Sequence, residues 1–138
     1  DSKTLFHGHT YGGNPLAAAV GLASLDLFQE DAILDKLTSK IGQLSNYLDR
    51  IPQHPHVGDV RQCGMIVGIE LVQDRVSKTP FPWTERHGQL VCDVALDQGV
   101  WVRPLGDVVV IMPPLSITPD ELDRICLAVE AGIQHVCP

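Results

Sequence analysis

Two stretches of the chain carry residue types and spacings suited to chemistry. The first is Trp101-Val102-Arg103-Pro104-Leu105-Gly106-Asp107, running on to Ile111-Met112-Pro113-Pro114. It puts one arginine at the end of a short apolar strand, pinned by a proline and a glycine turn, with a second apolar run returning directly after it. A guanidinium held this rigidly suits a carboxylate, because its planar fork donates two parallel hydrogen bonds. It equally suits a structural ion pair at a strand end, and the spacing alone leaves both readings open. The second stretch is Phe6-His7-Gly8-His9-Thr10-Tyr11-Gly12-Gly13-Asn14-Pro15-Leu16-Ala17. Three glycines and a hydroxyl residue lead into a helix start, with Asn14 as N-cap and Pro15 at the first helical position. Small residues let the backbone approach a ligand closely, and a threonine hydroxyl beside free N–H groups suits a phosphate. Most glycine-rich loops ahead of helices are only turns. This one is not a Walker A loop, since no Gly-Lys-Ser/Thr follows. Nor is it a GxGxxG fingerprint, since no strand-like run precedes it.

The elements that must position these residues can be read from periodicity. A first helix is predicted from Pro15 to about Phe28, rich in alanine and with Asp26 as its only charge, so most of its circumference needs a cover. A second, from about Asp31 to Ile51, places Ile33, Leu37, Ile41, Leu44 and Leu48 at steps of four and three, with Lys36, Lys40 and Asp49 on other faces. Pro52 and Pro55 close it. Two extended runs follow, Val57 to Gln62 and Met65 to Val72, separated by Cys63-Gly64. After a loop containing Pro80 and Pro82 comes a helix from about Thr84 to Gln98, stopped by Gly99. Two short strands then flank Pro104-Leu105-Gly106-Asp107. Thr118-Pro119-Asp120-Glu121 reads as a capping box with proline at the first helical position. It opens a last helix whose Leu122, Ile125, Val129 and Ile133 face inward. Two helices, two strands, a helix, two strands and a helix predict an α+β, two-layer domain, with an antiparallel or mixed sheet and helices on one face.

At 138 residues and 44% hydrophobic content, one core is within reach. A formal net charge of −7 with no basic run argues against nucleic acid or an anionic membrane as partner. Cys63, Cys92, Cys126 and Cys137 form no CxxC and no metal-type pairing with histidine, which reads as a reduced, cytoplasmic protein without a metal site. No apolar run is long enough to span a bilayer, and no signal-peptide pattern is read. Lys3, Lys36, Lys40 and Lys78 each read as solvated surface charges, and none follows an apolar strand. His54 and His56 lack a third ligand at metal spacing and read as a solvated loop. Trp83 and Trp101 read as core or interface packing. Cys63, beside Gly64, reads as a buried small hydrophobe rather than a nucleophile. The chain opens on Asp1-Ser2-Lys3-Thr4 and enters the glycine loop almost at once, which reads as the C-terminal portion of a longer protein.

Together, in this order and at this separation, the two stretches resemble the class III pyridoxal-phosphate aminotransferases. The likeness covers nearly the whole chain. The run from His7 to Ala17, with Leu22-Ala23-Ser24-Leu25 after it, marks the class. Arg103-Pro104-Leu105-Gly106 with Met112-Pro113-Pro114 is similar to the branch of the class that works in biotin synthesis. The resemblance implies fold type I, with residues 31–138 forming the small C-terminal domain. Residues 1–30 would be the cofactor-phosphate loop and helix of the large domain and interface. It implies pyridoxal 5'-phosphate as cofactor and a homodimer partner. Thr10 and His9 would hold the cofactor phosphate of the partner protomer, His9 through its backbone rather than its imidazole. Gly8 would line the substrate pocket, and Arg103 would bind the carboxylate of the keto substrate. The lysine that carries the cofactor and the aspartate that pairs with its pyridine nitrogen would lie upstream, so no catalytic residue falls in this chain. The implied substrates are S-adenosylmethionine and 8-amino-7-oxononanoate. A class III enzyme for an ω-amino acid, ornithine or 4-aminobutyrate remains an alternative, as does a non-catalytic binding or assembly domain.

Overall fold

The computed structural model describes residues 7–137. They form two compact units that divide between Asp35 and Lys36. In the first, α1 runs from Pro15 to Glu30, two residues beyond the predicted end. The Asn14 side chain accepts the Leu16 N–H at 3.0 Å, and Pro15 supplies a preset φ where no N–H is needed. No residue of α1 is buried within its unit, and Leu16 and Val20 are 77% and 70% exposed.

The remaining elements are α2 (Ile33–Leu48), β1 (Val57–Cys63), β2 (Ile66–Leu71), α3 (His87–Asp97), β3 (Arg103–Leu105), β4 (Val108–Ile111) and α4 (Pro119–Val136). The sheet order is β1-β2-β4-β3, antiparallel throughout, which resolves the predicted antiparallel-or-mixed choice. Alternation along the strands sends Val67, Ile69, Leu71, Val109 and Ile111 into the core. There they meet Leu44 and Leu48 of α2, Val91 of α3, and Leu122 and Val129 of α4. The helices therefore cover one face, as an α+β two-layer domain requires. Val108, Val110 and Glu70 face the other way and are only partly buried.

Two further differences from the periodicity reading, at the end of α2 and the start of α3, each have a local reason. α2 stops at Leu48 and the chain tightens into a single 3₁₀ turn at Ile51–Gln53. Pro52 has no N–H to return to the Leu48 carbonyl. α3 begins at His87 rather than Thr84, because Arg86 adopts a left-handed φ of 54° between it and a 3₁₀ turn at Trp83–Glu85. The capping box of α4 forms as read: Thr118 accepts the Glu121 N–H at 3.3 Å, and Glu121 accepts the Thr118 N–H at 2.9 Å. α3 and α4 pack so closely that a Cβ on Gly132 would stand 2.7 Å from the Val91 carbonyl oxygen. The Tyr47 hydroxyl donates to the Cys126 carbonyl, joining α2 to α4, and burial raises its pKa above the usual phenol value.

The readings of Cys63, His54 and His56 are corrected, and that of Trp83 and Trp101 is narrowed. Cys63 is exposed at the end of β1, not buried. Trp83 and Trp101 are 84% and 85% exposed, which removes the core half of their reading and leaves interface packing. His54 and His56 are partly buried and hydrogen-bonded rather than solvated. His56 Nδ1 lies 3.1 Å from the Val72 carbonyl, and His54 Nδ1 accepts the His56 N–H at 3.3 Å. Burial, with His56 adding to it, holds the His54 pKa below the usual imidazole value. Among the described residues no group of three potential ligands gathers at a metal-binding distance. No described helix is long and apolar enough to cross a membrane.

Burial pushes Cys92 and Cys137 up to about 11, with Asp93 and Asp107 adding to it, and Cys126 up to about 12, with Asp123 adding to it. The native chain should therefore be alkylated by iodoacetamide near pH 8 at Cys63 alone, read by peptide mass spectrometry. In the unfolded chain the same thiols ionise near 9.0. The native state binds the proton more tightly, so stability should hold below that pH and fall as pH rises towards about 12. Urea midpoints that stay flat across that window, or a native adduct on Cys126, would contradict this.

Candidate functional site

Arg103 opens β3, with Trp101 and Val102 outside the strand, so it begins the strand rather than ending it. β3 is an edge of the sheet and pairs Arg103 with Val110, Pro104 with Val109 and Leu105 with Val108. Alternation places Arg103 and Leu105 on the face away from the core, and both are exposed. The strand returns through Gly106, whose φ of 61° suits glycine in the tight turn.

Around Arg103 lies a cleft of about 270 Å³, lined also by Trp101, Val102, Met112, Pro113 and Pro114. Among the described residues no carboxylate stands within ion-pair distance of Arg103. The structural ion pair that the spacing allowed is not made here. Arg61 shows the contrast: its guanidinium meets Asp59 at 2.8 Å and Glu70 at 2.9 Å. An arginine fork without a protein partner, set among aliphatic and aromatic walls, can take a carboxylate at the end of an apolar chain.

The segment after β4 supplies Met112, Pro113 and Pro114 to the lining. The Ile117 N–H donates to the Pro114 carbonyl at 3.0 Å, and Lys40 Nζ donates to the Leu115 carbonyl at 2.9 Å. Lys40 is therefore partly buried and engaged, which corrects its reading as a solvated charge. Lys36 and Lys78 are exposed as read, and Lys3 lies outside the described residues. Periodicity could not find the Lys40 contact, because its acceptor is a backbone carbonyl 75 residues away.

Gly8, His9 and Thr10 lie together in the loop ahead of α1, all exposed. The loop turns through Gly12 N–H to His9 carbonyl at 3.0 Å and Asn14 N–H to Tyr11 carbonyl at 3.3 Å, with Gly13 at φ 75°. Those turn bonds leave the N–H groups of Gly8, His9 and Thr10 uncommitted to backbone carbonyls among the described residues. A side chain built on Gly8 would meet nothing within 4 Å, so packing inside this unit does not require glycine there. The His9 imidazole lies 3.0 Å from that of His7, nitrogen to nitrogen. A hydroxyl and several N–H donors on an exposed glycine loop form a donor set that fits a phosphate. The loop belongs to the first unit and Arg103 to the second, so the fold builds the two groups separately.

The family model described as aminotransferase class-III matches residues 2–133. The chain is 54% identical over 136 residues to the adenosylmethionine-8-amino-7-oxononanoate aminotransferase of Geobacter sulfurreducens, covering 99% of this chain and 30% of that protein. The crystal structure of the enzyme of that name from Methanocaldococcus jannaschii superposes with a TM-score of 0.93 at 39% identity, covering 99% of this chain and 31% of the other. A PMP-bound aminotransferase from Vibrio fluvialis superposes with a TM-score of 0.90 at 27% identity, covering 98% and 30%. The chain thus spans about 30% of the length of these relatives.

The tie from Lys40 yields a direct test. Lys40→Met keeps the aliphatic stem but leaves the Leu115 carbonyl without its donor, and should lower unfolding stability by about 1–2 kcal/mol. Denaturant titration reads the change. A variant as stable as the parent would mean that water replaces the ammonium at no cost.

Proposed function

Because the chain belongs to the aminotransferase class-III family, we propose that it supplies the carboxylate clamp and the cofactor-phosphate loop of a pyridoxal 5'-phosphate transaminase. The whole protein moves the amino group of S-adenosylmethionine to 8-amino-7-oxononanoate, giving 7,8-diaminononanoate in biotin synthesis. The observation that carries this reading is Arg103, unpaired among the described residues in a cleft with apolar walls. The keto substrate is a chain of methylenes ending in a carboxylate, and the cleft offers contacts of matching chemistry. The identity to relatives of that name supports the choice of substrates.

Each residue then has a task. Arg103 takes the substrate carboxylate bidentately, which sets the distance from that end to the reacting ketone. Trp101, Met112 and Pro113 contact the methylenes and displace water. Thr10 donates its hydroxyl, and the N–H groups from Gly8 to Thr10 donate alongside it, to the cofactor phosphate of the partner protomer in a homodimer. Gly8 leaves room for substrate beside that phosphate. When bound, the cofactor supplies the electron sink that lets an amino group pass between carbon skeletons. The lysine that carries it must be desolvated and free. Lys40 is engaged with Leu115, and Lys36 and Lys78 are exposed; the likeness to the family assigns this task to a segment upstream. A piece of this extent should accordingly turn over nothing alone. In this reading residues 1–30 belong to the large domain and interface, residues 31–138 form the small domain, and the enzyme is cytoplasmic.

The reading is tested at the relatives' full length. Arg103→Ala should reduce kcat/KM for 8-amino-7-oxononanoate by roughly 2–4 kcal/mol of transition-state stabilisation, while the half-reaction with S-adenosylmethionine keeps its rate. Equal losses in both half-reactions would rule out a clamp specific to the keto acid. Thr10→Val, nearly isosteric, should weaken cofactor binding by about 1.5–3 kcal/mol, read by titrating the apo-protein with pyridoxal 5'-phosphate. Unchanged affinity would remove Thr10 from the phosphate site.

A further inference from the structure

We propose that Asp107 is a positioning residue for Arg103, acting by tying the hairpin that carries the arginine to α3 and β2. The inference rests on the reading of Arg103 as the substrate clamp. β3 has three residues and a single hydrogen-bonded neighbour, β4. So short an edge strand cannot hold a side chain in register by its own ladder. What fixes it is the turn at its far end.

Asp107 makes two bonds from that turn. Its Oδ1 accepts the Gly88 N–H at 3.0 Å, and its backbone carbonyl accepts the Leu71 N–H at 2.9 Å. The first bond meets a need that α3 cannot meet locally. Arg86, at the N-cap position, is left-handed and gives no side-chain cap; its carbonyl serves the Gln89 and Leu90 N–H groups, so the Gly88 N–H requires a distant acceptor. A carboxylate there is also favoured by the helix dipole. Beside this bond, Gly88 meets the turn with no intervening side chain: a Cβ would fall 2.3 Å from the Gly106 carbonyl oxygen and 3.0 Å from the Asp107 Cα. Bond and close contact together leave the turn little room to shift. Arg103 lies four residues back along a strand stiffened by Pro104, so a displaced turn becomes a displaced guanidinium.

The experiment uses the full-length enzyme, with 8-amino-7-oxononanoate as the probe. Asp107→Ala should raise KM for that substrate roughly tenfold, with the S-adenosylmethionine half-reaction unchanged. Asp107→Asn keeps an acceptor oxygen at the same place and should stay within about threefold of the parent. In an Arg103→Ala background, Asp107→Ala should add nothing further to KM, because the group it positions is gone. An Asp107→Ala enzyme with lower Tm but parental KM would show a cap that only stabilises, and would overturn the proposal. So would a full additional loss in the Arg103→Ala background. An Arg103→Ala enzyme with parental KM would overturn the clamp reading itself, and the role of Asp107 with it.

Discussion

Two backbone contacts that admit no side chain hold α3 in place, and the rest of the second unit is arranged around them. On one side Gly132 of α4 faces the Val91 carbonyl, with 2.7 Å to where a Cβ would be; on the other, Gly88 faces the Gly106 carbonyl, with 2.3 Å to where its Cβ would be. In a close-packed interior a methyl group at either point could enter only by moving backbone. α3 therefore acts as a strut of set thickness between α4 and the β3–β4 hairpin. α4 is in turn fixed to α2 by the Tyr47 hydroxyl, and to the sheet by Leu122, Val129 and Ile133. The position of the hairpin follows from the core through one rigid helix rather than through a run of surface loops.

That arrangement explains how an exposed arginine can be well placed. An edge strand is the usual site of unwanted pairing, because its outer N–H and C=O groups are open. Here the edge is only three residues long, and its middle residue is Pro104, which has no N–H to offer. The same proline limits φ directly after Arg103. One residue thus blunts the edge and stiffens the approach to the guanidinium. The outward face of the strand remains available for a ligand, while the inward face, Pro104 beside Val109, is anchored in the sheet. Arg61, on the same face of the sheet, is satisfied by Asp59 and Glu70 and is a surface tie. The difference between the two arginines lies in their neighbours.

Features decided by local chemistry were legible in the sequence. Asn14-Pro15 and Thr118-Pro119-Asp120-Glu121 announce helix starts because the cap and the helix are neighbours in the chain. The inward stripe of α4 follows from its spacing. Cys63 was legible too: alternation puts it on the same outward face as Asp59 and Arg61, and reading it as a buried hydrophobe ignored that parity. Other features depend on groups far apart in sequence, which no periodicity encodes. The start of α3 is set by a left-handed Arg86 and a cap from Asp107, nineteen residues away. The engagement of Lys40 depends on Leu115. At the site itself, Arg103 could be singled out by residue type and turn chemistry. Whether Arg103 makes a protein ion pair could be read only from the structure, because it turns on which carboxylates stand nearby among the described residues.

The two groups of candidate residues also differ in what holds them. Arg103 is built by the second unit alone, out of a core that the described residues complete. The loop from Gly8 to Thr10 sits ahead of α1, whose aliphatic residues are largely exposed, Leu22, Leu25 and Leu27 among them at 64%, 62% and 55%. An isolated helix of 16 residues is marginal in water, and five exposed aliphatic side chains on one helix are a surface that calls for a cover. The loop can therefore be no better ordered than whatever covers that helix. Under the proposed function, a phosphate grip placed there would become competent only on assembly, whereas the carboxylate clamp would be built beforehand.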